Sequence, residues 1–72
     1  MIFIYSANEQ EAERCAEKHN LASHEWKYLA AEEQLFGLTE FTVWAYGGWL
    51  KRFDSMRIEQ LVVGRSGTFK IL

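Results

Sequence analysis

Proline is absent from these 72 residues, and cysteine occurs once. A lone Cys15 excludes an intramolecular disulfide, which argues against a small secreted scaffold and for a reducing, cytoplasmic setting. With no proline, no repeat and no biased segment, nothing suggests a linker, and residues 1–72 read as a single domain. No apolar run approaches the roughly 20 residues of a membrane span. Met1 to Tyr5 is too short for a signal sequence. A soluble chain without membrane association is the expectation. Two histidines and one cysteine fall short of a four-ligand zinc set, and His19 and His24 lack the spacing of a metal motif. Neither G-x-G-x-x-G nor the phosphate loop G-x-x-x-x-G-K-S/T occurs. Ser6 lies in no nucleophile-elbow sequence, and the adjoining Glu32 and Glu33 point apart on a helix. No catalytic residue, cofactor or metal is assigned, and the expectation is a protein that is not an enzyme.

What is present is an apolar, aromatic chain: 49% of residues are hydrophobic and 15% are Phe, Trp or Tyr. A domain this small is marginal without a staple, so large rings must supply much of the buried area. The stretch that organises the rest is Glu40 to Tyr46. Phe41, Val43 and Ala45 alternate with Thr42, Trp44 and Tyr46, so both faces are apolar apart from Thr42. That pattern suits an inner strand covered on both sides. Gly47-Gly48 ends it with turn dihedrals.

Ile2 to Tyr5 reads as a buried first strand. Ser6 with Glu9, or Asn8 with Glu11, caps the helix that follows. That helix runs to about His19, with Ala12, Cys15, Ala16 and His19 on one face. Asn20 suits a left-handed helix end. Trp26 to Leu29 reads as a second strand, placed at a sheet edge by Lys27. Ala30 to Phe36 reads as a short helix closed by Gly37. Trp49 to Phe53 has no assigned conformation. Asp54 or Ser55 caps a helix whose face is Ile58, Leu61 and Val62, ended by Gly64 or Gly67. Thr68 to Leu72 is the last strand.

Strands alternating with helices imply an α/β fold: a minimal doubly wound, Rossmann- or flavodoxin-like parallel sheet of order 2-1-3-4 with three helices. A last strand that is antiparallel or frayed is the main rival. The topological switch point lies between the ends of strands one and three, where such sheets place ligands. Ser6, Ala7 and Asn8 would line one side, and Gly47, Gly48 and Trp49 the other.

The stretches Glu9-Gln10-Glu11-Ala12, Glu25-Trp26-Lys27-Tyr28-Leu29 and Glu33-Gln34-Leu35-Phe36-Gly37-Leu38 together resemble small uncharacterised Rossmann-like βαβ proteins encoded by bacteriophages. Gly48-Trp49 and Arg52-Phe53-Asp54 correspond to a turn and an Arg-Asp pair in those proteins. The resemblance implies the fold and a phage origin, and no function. Such proteins often carry Gly after the first strand. This chain has Ser6-Ala7, so the resemblance implies no shared phosphate site.

The candidate binding surface is Ser6, Asn8, Gly47, Gly48, Trp49, Lys51 and Arg52. Glycines allow close approach, Lys51 and Arg52 add charge, and Trp49 can stack on a ligand or anchor an interface. The plainer and commoner reading is a tight turn with Trp49 folded over the core and two solvated bases. Residues 1–40 carry eight acids and three bases, residues 41–72 two acids and five bases. Solvated helix faces account for such asymmetry, and so does a polar partner. Two functions are therefore weighed. One is a small interaction protein that binds a partner protein or itself through the third loop. The alternative is a nucleotide or nucleic-acid binder at the crevice, which Glu9 and Glu11 disfavour by repelling phosphate.

Overall fold

The computed structural model describes residues 1–72. Strands β1 (Ile2–Tyr5), β2 (Trp26–Tyr28), β3 (Thr42–Ala45) and β4 (Thr68–Ile71) form one sheet of order β2-β1-β3-β4. Every neighbouring pair is parallel. The α/β class is as the alternation of elements implied, the 2-1-3-4 order is the economical one expected, and the last strand is parallel. β3 is an inner strand, paired to β1 and β4. Lys27 lies in the edge strand β2, where it is exposed.

Two α-helices are present, α1 (Glu9–Lys18) and α2 (Ser55–Gly64), instead of three. The stretch expected to be a short helix over Ala30–Phe36 forms only a 3-10 turn, Glu32–Leu35. The reason is competition for its backbone groups. The carbonyls of Leu29 and Ala30 accept hydrogen bonds from Arg52 at 2.8 and 2.6 Å. The Gln34 side chain accepts from the amides of Ala30 and Ala31. Those groups are then withheld from an i to i+4 ladder, and Ala31 is extended. A second 3-10 turn, Trp49–Lys51, occupies the stretch without assignment.

The two apolar faces read from the strand alternation are both covered. Phe3, Tyr5, Val43 and Ala45 point to one face and pack with Ile58 and Val62 of α2, together with Leu29, Leu35, Phe41 and Trp49. Ile4 points to the other and packs with Ala12, Cys15 and Ala16 of α1. Trp26, Tyr28, Trp44 and Tyr46 lie partly buried around that second cluster. Small residues on α1 let it lie close to the sheet, while the rings fill the flanks. Asn8 is the cap of α1, its side chain accepting from the Glu11 amide at 2.9 Å. Asn20 ends the helix region at φ 56°, in the left-handed conformation that Asn tolerates. No helix is long and apolar enough to cross a membrane.

The helix periodicity can be checked directly. Ile58 is fully buried and Met56 is mostly exposed on the same helix. Ile58→Ala should cost about 2–5 kcal/mol in urea unfolding. Met56→Ala should change stability by less than about 0.5 kcal/mol, as surface substitutions do.

Candidate functional site

The C-terminal ends of β1 and β3 meet where the fold places its switch point. Ser6, directly after β1, is buried, and its hydroxyl donates to the Asn8 carbonyl at 2.7 Å. Gly48 follows β3. Between these two ends sits the carboxylate of Glu11, from the first turn of α1. Its Oε1 accepts from the Ala7 amide at 3.0 Å and from the Gly48 amide at 3.1 Å. Gly47 makes this approach sterically available. It has φ +61°, and a Cβ there would lie 2.7 Å from Glu11 Oε1. Two backbone donors that could serve a phosphate are thus engaged by the chain's own anion.

Arg52 is the second centre. Its guanidinium lies 4.4 Å from the centroid of the Tyr5 ring. It donates to the carbonyls of Ser6, Leu29 and Ala30, at the ends of β1 and β2, and to the Tyr28 hydroxyl. Nε donates to Asp54 Oδ1 at 3.2 Å, and the two side chains are only 12% and 13% exposed. The Tyr5 hydroxyl donates to the same carboxylate oxygen at 2.5 Å. Burial, and then this bond to Asp54, push the Tyr5 phenol far above its usual range, with Arg52 opposing. Asp54 stands at the cap position of α2, yet its side chain makes no cap hydrogen bond. It serves the Arg52 cluster instead. Arg52 is therefore no solvated base. It is a polar staple that joins the loop after β3 to two other strand ends.

Of the predicted surface, Ser6 and Asn8 follow β1 and Gly47 and Gly48 follow β3 at the crevice, Arg52 turns away to the tips of β1 and β2, and Lys51 is exposed. Trp49 does not belong to it. The ring is 6% exposed and packs against Tyr5 and Phe69, at centroid distances of 6.2 and 5.4 Å. The plainer reading, with Trp49 folded over the core, holds for Trp49; its solvated Arg52 is corrected, because that side chain also turns inward, and the two do not form an exposed patch. The outward positions are others. Leu50 is 70% exposed, Met56 73%, and Phe53 shows 101% of its reference surface. A signal for this lay in the spacing. Trp49 and Arg52 are three apart and face in; Leu50, Phe53 and Met56 are three apart and face out. Phe53 also walls an open groove of about 440 Å³, whose opposite side is the segment from Ala30 to Glu33.

Other reactive side chains lie elsewhere. Cys15 is buried on α1, and burial raises its thiol pKa, with Lys18 opposing. A buried, protonated thiol is a packing group. His19 lies edge-on to Trp44 at 5.1 Å. No group of three or more His, Cys, Asp or Glu side chains is placed to hold a metal ion. No protein family matches the chain, and no curated protein or solved structure matches it either.

Two consequences are measurable. Arg52→Ala strips Asp54 of its cation and leaves three strand-end carbonyls without their donor. It should cost about 3–5 kcal/mol in denaturant unfolding. Arg52→Lys should recover little of this, because an ammonium lacks the planar fork. Tyr5 gives a pH signature. Its pKa is raised in the folded state, so above the unfolded value of about 10 the folded chain binds more protons than the unfolded one. The contribution is complete below pH 10 and is lost as pH rises. Comparison of the chain with Tyr5→Phe should show an extra loss of stability of about 1.4 kcal/mol per pH unit above pH 10 in the unsubstituted chain only. Parallel stability profiles would contradict the buried phenol.

Proposed function

We propose that the chain is a small interaction protein that binds a protein partner through the outward side chains of the loop after β3. The observation that carries this is Phe53, a large ring standing wholly in solvent, with Leu50 and Met56 three residues to either side. Exposed aromatic side chains serve as anchors at contact surfaces and dominate their energetics. The loop that presents them is held by Arg52 and Trp49, so little ordering entropy is lost when a partner docks. The proposed role is binding without catalysis. A second copy of the chain is one candidate partner. The assignments to a cytoplasmic setting and a phage origin rest on the single cysteine and on the resemblance described above.

Nucleotide or nucleic-acid binding at the crevice has weaker support. Glu11 engages the Ala7 and Gly48 amides, and the Arg52 guanidinium is spent on Asp54 and three carbonyls. Of the two bases proposed for that role, only Lys51 stands free in solvent.

Phe53→Ser and Leu50→Ser should leave unfolding unchanged within about 0.5 kcal/mol, since both side chains are exposed. Phe53→Ser should weaken partner binding by about 2 kcal/mol or more, roughly thirtyfold in Kd. Affinity capture from lysate, followed by titration of the captured protein, supplies the measurement. If Phe53→Ser and Leu50→Ser capture the same protein equally well, this surface is not the one used.

A further inference from the structure

We propose that the groove beside Phe53 receives a cationic side chain, lysine or arginine, of the partner. The inference rests on the interaction surface proposed above and specifies the chemistry of what docks there.

The groove runs between the segment after β2 and the start of α2. Ala30 and Ala31 supply small apolar wall, and the Phe53 ring forms an aromatic wall open to solvent. Three carboxylates and one guanidinium line the remainder. Most of these charges are already matched. Glu32 accepts from Arg57 Nε at 2.6 Å. Asp54 is held by Arg52 and Tyr5. Glu33 alone is exposed and makes no ion pair. The uncompensated charge of the groove is therefore negative, and it stands in the same groove as a free aromatic face.

A lysine or arginine side chain matches both features. Its methylene stem lies on apolar wall while its head stays polar. A cation over an aromatic face is attracted by the ring quadrupole, and Glu33 supplies the counter-charge. A carboxylate or phosphate would instead meet the unpaired Glu33 carboxylate. A neutral apolar side chain could use Phe53 but would leave Glu33 without a partner.

The test is an amide-resolved NMR titration of the full chain at low salt with four blocked amino acids: N-acetyl methylamides of arginine, lysine, norleucine and glutamate. Arginine and lysine should give saturable shifts at the amides of Ala31, Glu33 and Phe53. Norleucine should bind at least about threefold more weakly, and glutamate should leave these amides unmoved. Phe53→Ser and Glu33→Gln should each weaken arginine binding by about two- to fivefold, the range of an exposed cation–π contact or ion pair. Raising salt should weaken it further. Norleucine binding as tightly as arginine, or silence of these amides to both cations, overturns the proposal. If the amides are silent while Phe53→Ser still abolishes partner capture, the cationic occupant is rejected and the interaction surface stands. If capture is also unaffected, both are rejected.

Discussion

Parallel strands end with carbonyls that the next strand does not use, and in a sheet of four short strands those ends form a large share of the structure. Here one guanidinium collects them. Arg52 lies between the tips of β1 and β2 and donates to carbonyls 46, 23 and 22 residues away in sequence. Its planar fork holds five donors in fixed directions, against three on the compact head of an ammonium. Asp54 neutralises it, Tyr5 donates to Asp54, and the Tyr5 ring lies against the guanidinium. Each buried polar group in this cluster is satisfied, and no buried side-chain polar atom in the protein lacks a partner. A chain with no disulfide and no metal cluster thus gains a cross-link of another kind, made of charge-assisted hydrogen bonds.

The loop after β3 takes its shape from this cross-link and from one other. Glu11 ties Gly48 to the start of α1, and Trp49 is driven into the core between Tyr5 and Phe69. With Trp49 and Arg52 fixed inward, the residues one step further along, Leu50 and Phe53, have nowhere to go but outward. The exposed surface is thus a by-product of the anchoring. The switch point illustrates the opposite outcome. The fold creates backbone donors there, and the chain uses them to hold its own carboxylate.

The same anchoring explains where local reasoning failed. Ala30 to Phe36 has the composition of a helix, and helix propensity is a weak prior over seven residues. It lost to acceptors demanded by a distant arginine. Asp54 has the composition of a helix cap, and its carboxylate went to the Arg52–Tyr5 cluster instead. Trp49 after a glycine pair could be read as anchor or as filling, because nothing nearby in sequence distinguishes the two. Its burial depends on Tyr5 and Phe69, which come together only once β1, β3 and β4 are side by side.

The amino-acid order by itself determined the elements that repeat with a period. Alternation over Phe41–Tyr46 set an inner strand with two apolar faces. Ala12, Cys15 and Ala16 set the buried side of α1, Ile58 and Val62 that of α2, and the succession of elements set the parallel α/β class, with 2-1-3-4 as its most economical order. These patterns are legible because burial on a strand or helix is fixed by neighbours two to four positions away. Only the tertiary structure decided the polar cluster, the plugged crevice and the side chains left in solvent. Those depend on partners as far apart as Tyr5 and Asp54, 49 residues distant, and no local period encodes a meeting of that kind.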